Sequence, residues 1–140
     1  MTGRWTLAEY PERLAVVRFG PGSEVPAWAE SSSIFSVTAT ATETSVVCAA
    51  RNVPTKAVHR KHYTAFAVAG PLDRSEVGVA VDLLVPLAEA GVPVLTLSTH
   101  DTEWLLVPTD RAEAAAEEWR RRGHDVAPAV PVTPGKGSRK

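Results

Sequence analysis

Residues 70–107 read GPLDRSEVGVAVDLLVPLAEAGVPVLTLSTHDTEWLLV, and this stretch decides the fold. Its first half predicts a helix over residues 74–90, because apolar residues recur at three- and four-residue steps. The residues of this stripe are Val77, Ala80, Val81, Leu84, Val85 and Ala88. Asp73 is a favourable N-cap and Gly91 a favourable C-cap. Pro86 removes one helical hydrogen bond and is expected to kink the helix.

The second half of the stretch predicts two strands joined by a polar turn. Residues 92–98 are apolar enough for a mostly buried strand, and Leu105, Leu106 and Val107 form its return partner. Residues 98–103, STHDTE, are polar and typical of a turn.

The rest of the chain continues the pattern of strands and helices. Strands are predicted at 14–19, 34–39, 45–50, 63–69 and 125–130. A second helix is predicted over 111–122, with an apolar stripe formed by Ala112, Ala115, Ala116 and Trp119. We therefore predict a first unit over residues 13–61 with short helices, a second unit over 62–127, and a disordered tail over 128–140.

The order of elements in the second unit predicts a binding site at one edge of its sheet. Strand 63–69, helix 74–90 and strand 92–98 form a right-handed crossover, so both strands end at the same edge, where the helix begins. Free N–H groups at a helix N-terminus favour a carboxylate, and acidic side chains in the facing turn favour an ammonium or guanidinium group. An amino acid offers both charges. The predicted ligand-binding residues are Asp73, Ser75, Glu76, Thr99, His100, Asp101, Thr102 and Glu103.

These residues also have simpler interpretations. Asp73 can act as a helix cap alone, Asp101 can serve only the turn, and the whole turn can be a solvated hairpin.

Composition excludes several other classes of function. Lys and Arg number 15 and Asp and Glu 16, a net charge of −1, which gives no electrostatic case for nucleic acid. The single cysteine, Cys48, excludes an intrachain disulfide and is expected to be buried and inert. No apolar run approaches the ~20 residues of a membrane helix, and no signal peptide is evident, so we expect a cytoplasmic protein. His59, His62, His100 and His124 do not have the spacing of a metal site, and no cofactor is expected.

Several segments of this sequence resemble ACT-domain proteins. They are GPLD at 70–73, residues 86–107, the following D-x-A-E-A pattern at 110–114, and FSVTATATETSVVC at 35–48. The sequence is similar to small bacterial proteins with two ACT-like units in one chain, and to the paired units of the animal arginine sensor upstream of the growth-control kinase. The resemblance implies an α+β fold of two ferredoxin-like βαββαβ units with antiparallel-mixed sheets, and amino-acid binding without chemistry.

The resemblance also bears on single residues of the turn. In the arginine-sensor relatives an acidic residue at the place of Glu103 binds the cationic side chain of the ligand, and His100 stands where relatives often carry an aromatic ring. Glu103 replaces the more usual Asp, and Arg74 replaces the usual Phe. These departures leave the identity of the ligand open.

The leading hypothesis is a non-catalytic, amino-acid-binding sensor or regulatory module. The alternatives are an enzyme on a ferredoxin-like fold that uses His100, Asp101 and Glu103 as acid–base groups, and a structural partner protein whose pocket has decayed. We also predict a homodimer, because Trp5, Trp28, Trp104 and Trp119 provide more aromatic surface than a small core needs.

Overall fold

The fold was obtained as a computed structural model, which describes residues 3–69 and 78–129. Its strands are β1 (Thr6–Glu9), β2 (Leu14–Phe19), β3 (Ser36–Ala39), β4 (Thr44–Ala49), β5 (Val58–Val68), β6 (Leu95–Ser98), β7 (Glu103–Pro108) and β8 (Asp125–Pro128). Its α-helices are α1 (Val79–Glu89) and α2 (Ala112–Arg121). Short 3-10 helices cover Ala27–Ala29, Ala50–Asn52 and Thr109–Arg111.

The eight strands of the described residues belong to one mixed sheet built around the long strand β5. Its principal order is β3-β4-β2-β5-β1-β8, and β7 pairs with β5 and with β6. β1 and β8 are parallel, and the other pairs among the described strands are antiparallel. This confirms the predicted α+β class with an antiparallel-mixed sheet.

Helix α2 packs as its sequence predicts. Its four predicted apolar residues, Ala112, Ala115, Ala116 and Trp119, are all buried in the largest core cluster. The opposite side of α2 is rich in Glu and Arg, so only one side of this helix can enter a core.

Helix α1 buries a different face from the predicted one. Leu83, Pro86 and Leu87 are buried, whereas Ala80, Val81, Val85 and Ala88 of the predicted stripe are exposed. The prediction was wrong because α1 is apolar on nearly every side, VAVDLLVPLAE, so periodicity alone cannot select the face that meets the sheet. The predicted start of this helix, residues 74–77, lies outside the described residues.

Alternation along the strands divides the core into clusters on the two faces of the sheet. In β2, Ala15 and Val17 pack with Val46, Cys48 and the two 3-10 helices of the first half of the chain. Leu14, their neighbour, packs on the other face with Val47, Ala65 and Leu106. Cys48 has no exposed surface, which confirms its predicted burial, and the inertness of its thiol stays a prediction.

Two predictions about the strands need correction. Residues 92–98 form a strand only from Leu95 to Ser98, and the strand is mostly exposed, because it pairs with β7 alone among the described strands. Pro128, placed in a disordered tail, is the last residue of β8. The predicted boundary between units, 61/62, falls inside β5, and the division into two units stays a prediction.

The tryptophan side chains do not form the surplus aromatic surface that the sequence suggested. Trp119 is fully buried, and Trp5, Trp28 and Trp104 are half-buried against the core clusters. Among the described residues, the exposed large apolar side chains are instead Phe35, Val37, Val58, Val81, Val85 and Leu95.

Candidate functional site

The register of three strands builds the predicted edge. Val68, at the end of β5, lies opposite Glu103, the first residue of β7. On the other side of β7, Glu103 lies opposite Ser98, the last residue of β6. β5 and β6 are both antiparallel to β7, so they run in the same direction and end side by side. The turn at 99–102 therefore lies at the edge where β5 also ends.

The turn itself is closed by its two threonines. Thr99 N–H donates to the Thr102 carbonyl, and Thr102 N–H donates to Thr99 Oγ1, both at 2.9 Å. The indole Nε1–H of Trp104 donates to Thr102 Oγ1 at 2.8 Å, which ties the turn to the sheet. Thr99 and Thr102 are thus positioned by the geometry of the turn before any ligand arrives.

The acidic residues of the turn occupy two different environments. Glu103 is partly buried at the base of the turn, where its Oε2 accepts a hydrogen bond from Ser98 Oγ at 2.8 Å. Asp101 is exposed at the tip, and its Oδ1 lies 2.7 Å from Nδ1 of the fully exposed His100. Glu103 is therefore the acidic side chain of this turn that the sheet positions.

The hydroxyl of Ser98 bonds to Glu103 and not to the imidazole of His100. The Ser–His pairing that activates a hydroxyl nucleophile is therefore not formed here. Among the described residues, no three His, Cys, Asp or Glu side chains are close enough to hold a metal ion.

The predicted site also includes residues at the start of the helix, which faces the turn. Asp73, Ser75 and Glu76 lie outside the described residues, and so does the predicted capping of the helix by Asp73. The described part of α1 begins at Val79 after Gly78, whose positive φ of 92° favours glycine. The structure thus places Thr99, His100, Asp101, Thr102 and Glu103 together at the edge.

Asp82 of α1 anchors the amino-terminal segment at the same edge, a contact that sequence reasoning missed. Its Oδ2 accepts hydrogen bonds from Trp5 Nε1 at 3.0 Å and from Gly3 N–H at 2.9 Å. Burial raises the pKa of Asp82, but these hydrogen bonds and favourable charge interactions together hold the pKa below its usual value. Trp5 N–H also donates to Nδ1 of the buried His124 at 3.0 Å.

This network borders a cavity of about 250 Å³ between α1 and the amino-terminal segment. The cavity is lined by Gly3, Val81, Asp82, Val85, Pro86, Arg122 and His124. The sequence signal for the contact is Asp82, an acidic residue flanked by apolar residues on both sides within α1.

The arrangement of helices and strands in the second half of the chain agrees with a comparison of family models. Residues 58–117 match the model of the ACT domain. This match covers less than half of the chain. A second model, described as an N-terminal domain, matches residues 12–56. No curated protein matches the sequence.

Solved structures with a similar fold include a regulatory subunit of aspartate kinase. A protein from Agrobacterium tumefaciens is 25% identical with a TM-score of 0.86, over 94% of this chain and 99% of that one. A Vibrio cholerae protein of unknown function, named as a possible transport protein, is 11% identical with a TM-score of 0.70, over 84% and 89%. The regulatory subunit of aspartate kinase from Thermus flavus is 11% identical with a TM-score of 0.60, over 83% and 95%.

The match of residues 58–117 to the ACT-domain model agrees with the resemblance seen in the sequence. The arrangement as two ACT-like units and the relation to the animal arginine sensor stay predictions. Within the described part of the chain, no helix is long and apolar enough to cross a membrane.

Proposed function

We propose that this protein is a non-catalytic regulatory module that binds an amino acid at the edge formed by the turn 98–103 and the end of β5. The observation that carries the proposal is the alignment of Val68, Glu103 and Ser98 across three strands. Because of this alignment, the carboxylate-bearing residue Glu103 lies beside the end of β5, the strand that precedes α1 in the chain.

Glu103 is proposed to bind the cationic group of the ligand. Its carboxylate is partly buried and accepts a hydrogen bond from Ser98, so its orientation is constrained. A carboxylate is the acceptor that forms charge-assisted hydrogen bonds with an ammonium or guanidinium group. The carboxylate of the ligand is proposed to meet backbone N–H groups near Ser75 and Glu76, next to Asp73.

Thr99, His100, Asp101 and Thr102 complete the proposed site. The hydroxyl groups of the two threonines bond to each other near the base of the turn, and the ring of His100 lies at its tip. The regulatory role is supported by the ACT domain and by the shared fold with regulatory subunits of aspartate kinase.

The test is a thermal-melting screen against the twenty amino acids, followed by calorimetry of wild type and Glu103→Gln. A ligand that binds only the folded state raises the melting temperature. Glu103→Gln is expected to weaken binding by about 1.5 kcal/mol, roughly tenfold, the low end for a charge-assisted bond because Glu103 keeps some contact with water. Glu113→Gln, an exposed change of the same type on α2, is the control and leaves affinity unchanged.

The screen also separates binding from catalysis. A regulatory module leaves the bound amino acid unchanged, so mass spectrometry after prolonged incubation recovers the same compound. Conversion of the amino acid would instead support the enzyme hypothesis with His100, Asp101 and Glu103. If no amino acid shifts the melting curve, a structural partner protein becomes the better interpretation.

We also propose that the protein is a homodimer. The support comes from exposed apolar side chains: Phe35, just before β3, is 41% exposed, and Val37, within β3, is 42% exposed. Among the described strands, β3 pairs with β4 alone. An edge strand of this kind offers unpaired backbone groups to another chain. Light scattering at micromolar concentration is expected to give the mass of two chains, and the mass of one chain would contradict the proposal.

A further inference from the structure

The opposite end of β7 carries a second cluster of polar side chains. β5 pairs with β2 through its first half and with β7 through its second half, and the two pairings meet at Tyr63. Tyr63 lies opposite both Leu14 and Pro108. Arg13, just before Leu14, and Thr109, just after Pro108, are therefore brought to the same place.

A β-bulge adds His62 to this cluster. Leu14 lies opposite Tyr63 and Ala15 lies opposite Lys61, so His62 has no partner in β2. A bulge of this kind re-aims side chains, and bulges are frequent next to functional sites. Here it places Lys61 and His62 at the point where β2 and β7 meet β5.

Two neighbouring cavities open at this point and share Arg13 and His62. One, of about 470 Å³, is lined by Arg13, Lys61, His62, Pro108, Thr109 and Asp110. The other, of about 500 Å³, is lined by Pro11, Glu12, Arg13, Ala50, Arg51 and His62. Both volumes lie within the range of small-molecule sites.

The charges of the two cavities are not balanced. Arg51 is paired with Glu12 at 2.7 Å, and Glu12 also accepts hydrogen bonds from Ser33. Within residues 3–69 and 78–129, the side chains of Arg13 and Lys61 make no hydrogen bond or ion pair. The one remaining acidic side chain of the lining is Asp110. Two cationic groups thus face one carboxylate, in a chain whose net charge is −1.

A hydroxyl group is also in position. The buried Thr64 donates from its Oγ1 to Thr109 Oγ1 at 3.0 Å, which fixes the Thr109 side chain and leaves its own proton for another acceptor. Arginine, lysine and a fixed hydroxyl are the donors that proteins use for oxyanions.

We propose that this cluster, Arg13, Lys61, His62 and Thr109, binds the phosphate or carboxylate group of a small molecule. The site is distinct from the amino-acid site, because Glu103 and Pro108 stand at opposite ends of β7. Arg13 and Lys61 supply the charge, Thr109 supplies a neutral donor, and Asp110 limits the affinity by repulsion.

The test is an NMR titration of the full chain with inorganic phosphate and, separately, with succinate at low ionic strength. We expect saturable shifts of the amides of Arg13, His62, Thr109 and Asp110. The probe that binds more tightly identifies the oxyanion. Arg13→Gln and Lys61→Gln are each expected to weaken that binding about tenfold, the scale of one charge-assisted hydrogen bond.

Two further variants make the test specific. Asp110→Asn is expected to strengthen binding several-fold, because it removes the repulsive charge without removing a donor. Arg4→Gln is the control, since Arg4 precedes β1 near the other end of β5, where Ala69 N–H bonds to Thr6. The proposal is overturned if neither probe saturates, if Asp110→Asn weakens binding, or if Arg4→Gln has the same effect as Arg13→Gln.

Discussion

Trp119 offers a quantitative test of how the helices are held on the sheet. Its side chain is fully buried, its ring packs edge-on against Phe66 with centroids 5.0 Å apart, and its Nε1–H donates to the Leu83 carbonyl of α1 at 2.9 Å. Trp119→Phe keeps an aromatic ring against Phe66 but deletes the hydrogen bond and part of the buried volume. The bond contributes about 1 kcal/mol, and the lost volume adds a similar amount. We therefore expect a loss of about 2 kcal/mol in unfolding free energy.

The assay is urea unfolding followed by far-UV circular dichroism at one fixed protein concentration. Trp104→Phe is the matched control, because Trp104 also donates its Nε1–H to one acceptor but is only half-buried. Its expected cost is about 1 kcal/mol or less. Equal losses for the two variants would refute the reasoning that Trp119 joins α2 to α1 through a fully packed core.

Two further predictions concern titratable groups. The lowered pKa of Asp82 means that its carboxylate stabilises the fold above its ordinary value of 3.8, and that this contribution disappears as the pH falls below it. The Asp82→Asn variant is therefore expected to lose less unfolding free energy than the wild type when the pH falls below about 4. If the unfolding free energies of the two proteins fall in parallel with pH, the prediction is contradicted. Burial raises the pKa of the Cys48 thiol, so Cys48 is expected to react with a disulfide reagent only when urea unfolds the chain; rapid reaction of the folded protein would count against its burial.

The two helices show what a sequence pattern can and cannot predict. In α2 the apolar residues form one stripe between charged residues, so only one face can be buried, and the predicted face is correct. In α1 the apolar residues surround the helix, so the choice of Leu83 and Leu87 depends on the sheet and on α2 rather than on spacing. The buried face of a helix can be predicted when apolar residues lie on one side and charged residues on the other, and not when the helix is apolar on most sides.

Long-range pairing explains the elements that the sequence did not specify. β1 has only the residues TLAE, a weak signal, yet it lies between β5 and β8 because its partners hold it from both sides. β6 was predicted as a buried strand from its apolar residues, but its position at the edge of the sheet exposes them. Neither position is encoded within the segment itself.

The candidate site was partly predictable for a topological reason. The crossover between β5 and β6 requires the turn 98–103 to lie beside the end of β5, whatever the side chains are, and the register of Val68 with Glu103 agrees. The contact of Asp82 with Trp5 and the bulge at His62 were not predictable, since both depend on the register of distant strands.

The most direct test of the proposed function is an NMR titration of the isotopically labelled protein with the twenty amino acids. The account predicts that at least one amino acid causes saturable amide shifts concentrated at residues 98–103 and at the end of β5 near Val68. It also predicts that Glu103→Gln reduces the affinity for that amino acid while Glu113→Gln does not. Absence of any saturable shift, or shifts confined to other parts of the molecule, would contradict the account.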